Sequence, residues 1–401
     1  MTERPTSDES TLLITNCRLF NEPADKTTTS VLIENGAIAQ IGRIEPGRSF
    51  DNVLDAGGRI ITPGFIDVHI QGAGGADVLD ATPDALRTIS KTCARFGVTG
   101  FLATTVFRPK GDNRHLAVAA EHVGRDLGGA NLLGIHIEGP FISDQKRGMI
   151  LPECVCLPST KILDEISNLT KGRLKMMTVA PELPNSLSII RTLVESGVVA
   201  SLGHTNATYE QTLAGIRAGI THVTHLFNAM PSIHHRNPGP LTAVFNSTDV
   251  TVQLITDGVH IHPAVVKLTF DLLGYERIVP ITDGMQALGL PDGRYIYNGI
   301  EYESKGGAAR YKDGTLIGTA LGLNHILARF IKFTNCPLNA AVKTVTENPA
   351  RLLGIDSTKG TLAVGKDADL TVLNDDLSCQ ATIVAGKIVF EAACADADNV
   401  M

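Results

Sequence analysis

No stretch of the sequence reaches the roughly 18 consecutive apolar residues that a membrane-spanning helix needs. The opening from Met1 to Ser10 is polar, carries Glu, Asp and Pro, and has no apolar run of the kind a signal peptide requires. Concentrated positive charge is missing as well. The formal net charge is −7, which speaks against nucleic acid as a partner because that needs a basic surface. It does not exclude a small anionic substrate: charge is screened beyond about 8 Å at physiological salt, so two or three local cations decide phosphate binding. Neither G-x-G-x-x-G nor G-x-x-x-x-G-K-[ST] occurs, and nucleotide-binding readings lose their main support. The seven cysteines (Cys17, Cys93, Cys154, Cys156, Cys336, Cys379, Cys394) are odd in number and scattered, with no Cys-x-x-Cys pair. They read as structural thiols in a reducing compartment, and the expected location is the cytoplasm, with no membrane partner.

What is present is enough for a large core. With 401 residues, 43% of them hydrophobic and 19% charged, the chain can fold without disulfides or a partner. The length suits one barrel of about 250 residues with a smaller unit, although a two-domain doubly wound protein has a similar size. From Leu12 to Arg43 short apolar runs flank an Asn35-Gly36 pair, the strongest short hairpin signal. Leu370–Leu373 and Ile383–Val389 are β-branched runs at the other end, so one small β unit is expected from both termini. The expected boundaries are 1–61 and 365–401 for that unit and 62–364 for the barrel.

Between the termini, apolar runs alternate with amphipathic helical stretches, the βαβ pattern of a parallel sheet. Strands are expected at 65–70, 98–104, 132–137, 175–179, 198–202, 222–226, 251–255 and 278–281, and helices at 84–96, 116–127, 186–196, 209–218 and 263–273. Eight strand-helix units favour a closed (β/α)8 barrel, an α/β fold, over an open sheet.

The polar residues that stand out fall at strand ends, where barrel enzymes place their chemistry. Glu138 closes Leu132-Leu-Gly-Ile-His-Ile, His204 follows Val198-Val-Ala-Ser-Leu-Gly, and His225 closes Thr221-His-Val-Thr. Two imidazoles and a carboxylate form a set that holds catalytic zinc with one position open for water. The bland alternative is three hydrogen-bonded barrel residues, weakened because all three lie at the same end of separate strands. Asp283 ends the eighth strand and is placed to take a proton from activated water and pass it to a leaving amine; its bland alternative is capping the next loop. His69 and Gln71 stand at i and i+2 and both point into the barrel mouth. Gln is a poor zinc ligand, so one metal ion is expected, with His69 lining the site and His136 as an outer partner. His222 is expected to pack. His234, His235 and Arg236 in a Pro/Gly-rich loop, together with His260, supply the concentrated positive charge nearest the site, and Arg offers the fork that matches phosphate. His115, His122, His262 and His325 are read as structural.

Six strings point the same way: PGFIDVHIQGAGG (63–75), HIEGPFIS (136–143), GHTNATYE (203–210), THLFNAMP (224–231), DGVHIHP (257–263) and ITDGM (281–285). Together they resemble the N-acetylglucosamine-6-phosphate deacetylases of the amidohydrolase superfamily, from about Val31 to Val389. The resemblance implies metal ligands at Glu138, His204 and His225, and a catalytic carboxylate at Asp283. It implies substrate contacts at Asn228, Ala229, His260, Leu316, Ile317 and Gly318, and Met149 falls in the same region. It also implies a homodimer in which Arg236 reaches the phosphate of the neighbouring subunit's substrate, and a β-sandwich built from the two termini. The implied cofactor is a divalent ion, Zn2+ at one per subunit, with Fe2+, Co2+ or Mn2+ as alternatives. The implied reaction is attack of metal-bound water on the acetyl carbonyl, then proton delivery from Asp283 and release of acetate and amino-sugar phosphate.

Three departures qualify this. Gly148-Met149-Ile150 stands where relatives usually carry a small residue followed by a polar one, which alters the expected sugar end of the pocket. Gly284 replaces a small side chain after the catalytic Asp, a change expected to be mild. The His-Ile-Gln triplet is intermediate between versions that hold one metal and two. Competing readings are the N-acetylgalactosamine 6-phosphate epimer, a cyclic amide or deaminase reaction, and a barrel that has lost catalysis and serves as a scaffold. The scaffold reading has no need for Glu138, His204, His225 and Asp283 all at once.

Overall fold

The computed structural model describes residues 10–23, 28–45 and 47–393; Cys394 and the first nine residues of the polar opening lie outside them. Eight parallel strands follow one another around a barrel: Phe65–Ile70, Val98–Thr105, Asn131–Glu138, Leu174–Val179, Val199–Leu202, His222–Val223, Thr251–Leu254 and Ile278–Pro280. The first two are buried along their whole length, as expected of parallel strands covered on both faces, and Asp67 and His69 of the first are buried with it. The ring closes just past the eighth strand. There Asp283 N donates to His69 O at 3.0 Å and Gln71 N to Gly284 O at 2.9 Å, so the seam of the barrel carries three of the residues singled out above.

The helices between strands start and stop on local chemistry. Thr82 caps Pro83–Ala94 by accepting from Ala85 N, with Pro at the first turn. Thr208 and Gln211 form a capping box on Tyr209–Ala218, which Gly219 ends. The helix expected at 116–127 runs instead over Arg114–His122, because the chain turns away at Val123 and at Gly124 with φ 76°. Among the described residues no helix is long and apolar enough to cross a membrane.

Two regions differ from the sequence expectation. The sixth strand stops at Val223 rather than Leu226: His225 adopts φ 27°, and the chain leaves the ladder there. Between the eighth strand and the helix Leu323–Thr334 lies an unanticipated antiparallel meander, Gly293–Tyr297, Ile300–Lys305, Ala308–Tyr311 and Leu316–Thr319. Its inner face buries Tyr297, Tyr302, Ala309 and Ile317 against Met285 and Ala287, just beyond Asp283.

The terminal strands make a separate β unit. Thr11–Leu19 pairs through Leu12–Thr15 with Asn52–Asp55 and, over Thr11–Ile14, with Thr29–Glu34; its far end pairs with Ile60–Pro63. Asn16 at φ 52° and an irregularity between Ile14 and Cys17 let the strand cross from one layer to the other. Ile60–Pro63 then pairs with Leu370–Leu373. Leu12, Ile14, Val31 and Ile33 share a core with Leu370, Val372 and Ile383, so the two ends of the chain hold each other. The Asn35-Gly36 turn, with both residues at positive φ, joins the hairpin read from the sequence.

Candidate active site

Three of the four residues with chemistry sit where the chain breaks off its strand. His204, His225 and Asp283 have φ of 46°, 27° and 47°, a left-handed conformation that non-glycine residues hold only when the surroundings enforce it. The effect is to turn each side chain back over the barrel mouth. Glu138, the last residue of the third strand, meets them there. Glu138 Oε1 lies 2.9 Å from His204 Nε2 and 2.8 Å from His225 Nε2, and the two imidazole nitrogens are 3.1 Å apart.

The donor chemistry fits a cation. His204 Nδ1 is 2.8 Å from the carbonyl of Lys146, and a carbonyl only accepts, so Nδ1 carries the hydrogen, and in the neutral ring Nε2 presents a lone pair towards Glu138. Lone pairs converging on one point need a positive charge between them. The three ligand atoms lie within 4.8 Å of one another, and they form the cluster with metal-binding composition among the described residues. Burial alone raises the Glu138 carboxyl, but His204 and His69 outweigh it and hold Glu138 well below the usual carboxylate range. Burial lowers His225, and its contact with Glu138 carries it above the ordinary imidazole value.

These residues form the floor of a cavity of about 200 Å³, together with Asp283. One wall carries Asn228, whose amide donates to His225 O at 3.3 Å, and His260. His260 is held by Asp257: Nδ1 donates to Oδ2 at 2.7 Å and the backbone nitrogen to Oδ1 at 2.8 Å. Burial raises the Asp257 carboxyl, yet the bonds from His260 leave it below its ordinary value. The apolar part of the lining is Met149 beside Gly148, Ala229, and Leu316, Ile317 and Gly318 on the last strand of the meander. Ile150, the other departure in that segment, is buried rather than in the cavity. At Gly284 a Cβ would lie 2.6 Å from Leu288 Cδ1, the far end of a flexible side chain.

His69 lies beneath the floor, fully buried. Its Nε2 is 3.2 Å from Asp283 Oδ1 and 3.8 Å from Glu138 Oε1, and Gln71 Nε2 donates to Asp283 Oδ1 at 3.1 Å. His136 supports His69 edge-on, with ring centroids 4.8 Å apart, and bonds to Thr178 and Thr104 rather than to any of the three ligands. Burial and the neighbouring His69 push it well below the ordinary value, so it is neutral. His222 is buried on Thr251 Oγ1 at 2.7 Å, away from the cavity. Arg236 does not line its own chain's cavity: it is exposed in the loop of residues 231–238, donating to His235 Nε2 at 2.8 Å. Gln253, Asp257 and the carbonyl of Lys146 support the site without standing out in the sequence as functional residues. Gln253 was open to discovery as a lone amide inside the apolar run 251–255, and Asp257 as the start of an Asp-Gly turn before His260.

The Amidohydrolase family profile matches residues 60–389. The chain is 35% identical over 390 residues to the N-acetylglucosamine-6-phosphate deacetylase of Bacillus subtilis, covering 96% of this chain and 98% of the relative. It is 34% identical over 373 residues to the N-acetylgalactosamine-6-phosphate deacetylase of Escherichia coli, covering 92% and 97%. Among solved structures, the N-acetyl-D-glucosamine-6-phosphate deacetylase of Mycobacterium smegmatis in complex with N-acetyl-D-glucosamine-6-phosphate superposes with a TM-score of 0.86 at 33% identity, over 96% of this chain and 100% of that one. With the barrel, the convergent donors and near-complete coverage in agreement, this chain belongs to the N-acetylglucosamine-6-phosphate deacetylase family of the metal-dependent amidohydrolases.

Proposed function

We propose that this protein hydrolyses the acetamide of N-acetyl-D-glucosamine 6-phosphate to D-glucosamine 6-phosphate and acetate. The observation that carries the reading is the meeting of Glu138, His204, His225 and Asp283, from four strand ends, on the floor of one cavity. The relatives' names supply the substrate class. Glu138, His204 and His225 would hold a divalent cation, which would supply Lewis acidity and lower the pKa of a bound water. Two imidazoles and a carboxylate suit one Zn2+ per subunit, with Fe2+, Co2+ or Mn2+ as the alternatives.

Asp283 takes the proton from the attacking water and delivers it to the leaving nitrogen, acting as general base and then acid. Gln71 holds Asp283 by one oxygen, which fixes its direction without protonating it. Asn228 and His260 present polar groups for the sugar, and Met149, Ala229, Leu316, Ile317 and Gly318 line the apolar wall that keeps bulk water off the reacting centre. Arg236, exposed beside His234 and His235, serves a neighbouring subunit's phosphate across a homodimer interface. In this reading residues 62–364 are the catalytic barrel, and 1–61 with 365–401 the β-sandwich. The six described cysteines are all free thiols, which supports a cytoplasmic, reducing setting.

Acetate release from N-acetylglucosamine 6-phosphate, its galactosamine epimer and the unphosphorylated sugars, with metal analysis on the same preparation, tests the proposal. The expected result is about one divalent ion per chain and fastest turnover of the phosphorylated glucosamine. No acetate from either phosphorylated sugar by metal-replete protein overturns it. Preference for the galactosamine epimer transfers the reading to the activity for which the E. coli relative is named.

A further inference from the structure

The seventh strand, Thr251–Leu254, carries one amide inside the barrel. Gln253 is fully buried between Val252 and Leu254. Its Oε1 lies 3.0 Å from His69 Nδ1 and 3.3 Å from the backbone nitrogen of His225, while its Nε2 lies 3.5 Å from the sulfur of Met176. A backbone N–H can only donate, so the Gln253 atom facing His225 is the oxygen. The same oxygen faces His69 Nδ1, and that nitrogen therefore carries the hydrogen. In the neutral ring this leaves His69 Nε2 without a hydrogen, 3.2 Å from Asp283 Oδ1. The donor role at that point falls to Gln71, whose Nε2 is 3.3 Å from His69 Nε2 and 3.1 Å from Asp283 Oδ1.

We propose that Gln253 is a positioning residue: its one buried amide oxygen fixes the tautomer of His69 and anchors the left-handed turn that aims His225. With the opposite tautomer, His69 Nε2–H would donate to Asp283 Oδ1, stabilise the carboxylate and weaken it as a base. With hydrogen on Nδ1, Asp283 accepts from the neutral amide of Gln71 instead. The bond to His225 N acts on the other half of the site, because the residue at φ 27° keeps its ring beside Glu138 and His204 only while its backbone stays in that strained conformation. The inference rests on the reading of Asp283 as base and of Glu138, His204 and His225 as ligands.

Three measurements on the metal-bound protein test it. In histidine-labelled protein, 15N imidazole shifts, assigned by the signal lost in His69→Gln, report the tautomer directly. The expected wild-type result is hydrogen on Nδ1, and a wild-type His69 protonated only on Nε2 overturns the proposal without any Gln253 variant. Gln253→Met keeps the shape and removes the acceptor. It is expected to lose the Nδ1–H signature, to release its ion to a chelator at least about tenfold faster, and to lower kcat about tenfold or more while KM stays within about twofold. Gln253→Glu keeps the acceptor and is expected to restore the tautomer and most of the ion retention. Unchanged ion release and kcat in Gln253→Met, or equal losses in both variants, would show a residue that only fills space. A wild-type protein that binds no ion at all sinks the metal reading itself, and the tautomer measurement separates that failure from this one.

Discussion

Among the described residues the hydrogen bond to Asp283 Oδ1 comes from the amide of Gln71, and this makes Asp283→Asn a clean variant. Asparagine keeps the size and the Oδ1 acceptor but takes up no proton. Turnover should fall by about 100- to 10,000-fold with ion content unchanged, and loss of the ion together with activity would place Asp283 among the ligands instead. At this scale the sequence showed most of the site. Glu138, His204, His225 and Asp283 each follow an apolar run at a strand end, where barrel enzymes place their chemistry. What stayed hidden were residues whose role depends on a partner from another strand. Gln253 looks like an isolated amide until His69 and His225 stand on either side of it, and the carbonyl of Lys146 has no side-chain signature at all.

The meander between residues 293 and 319 lacks the continuous apolar runs that mark parallel strands covered on both faces. Its strands alternate, with Tyr302 and Ser304 buried and Glu303 and Lys305 exposed, and its turns are announced by Asn298-Gly299 and Gly306-Gly307. The element matters because its last strand, Leu316–Thr319, runs against the catalytic segment. Thr319 N donates to Asp283 O at 2.8 Å. Gly318 adopts φ 139°, and a Cβ there would stand 2.4 Å from the Asp283 carbonyl oxygen and 2.9 Å from Met285 Cγ. Backbone cannot yield as a side-chain tip can, so Gly318→Ala should push the strand off Asp283. It is expected to cost about 1 to 3 kcal/mol of stability and to lower kcat by at least about tenfold; a variant with wild-type kcat would show that the meander is a passive wall. The sixth strand was read three residues too long for the complementary reason. Thr224, His225 and Leu226 continue the apolar pattern, but the turn at His225 serves the site rather than the ladder.

For the molecule as a whole, barrel and terminal β unit were legible because both rest on periodicity and turn chemistry, whereas assembly and acid response depend on surfaces and burial that a sequence does not display. If Arg236 acts across a dimer, Arg236→Ala should raise KM about tenfold or more for phosphorylated sugar and leave the unphosphorylated sugar unaffected; equal losses on both would remove the phosphate role. The response to acid is set by buried groups pulling in opposite directions. Burial pushes Asp77 up to about 7, with Asp80 adding to it and Arg108 opposing. The folded chain therefore holds a proton there that the unfolded chain releases above the ordinary value of 3.8: this contribution is fully present below 3.8 and lost as pH rises through about 7. Burial lowers His115 from 6.5 to about 4, so its contribution is present above 6.5 and lost as pH falls towards about 4. Between these limits the two offset each other, and Asp77→Asn removes the Asp77 contribution, leaving that of Asp67, which burial likewise raises to about 7. Asparagine keeps the Oδ1 acceptor for Leu79 N and places an amide where Oδ2 has no protein partner, a cost that does not vary with pH. The slope is therefore the diagnostic. From pH 7 to pH 5 the stability of Asp77→Asn relative to wild type should fall by about 1.4 kcal/mol per unit, read from urea unfolding at each pH, and a difference that stays constant across that range would mean that Asp77 is ionised in the folded protein.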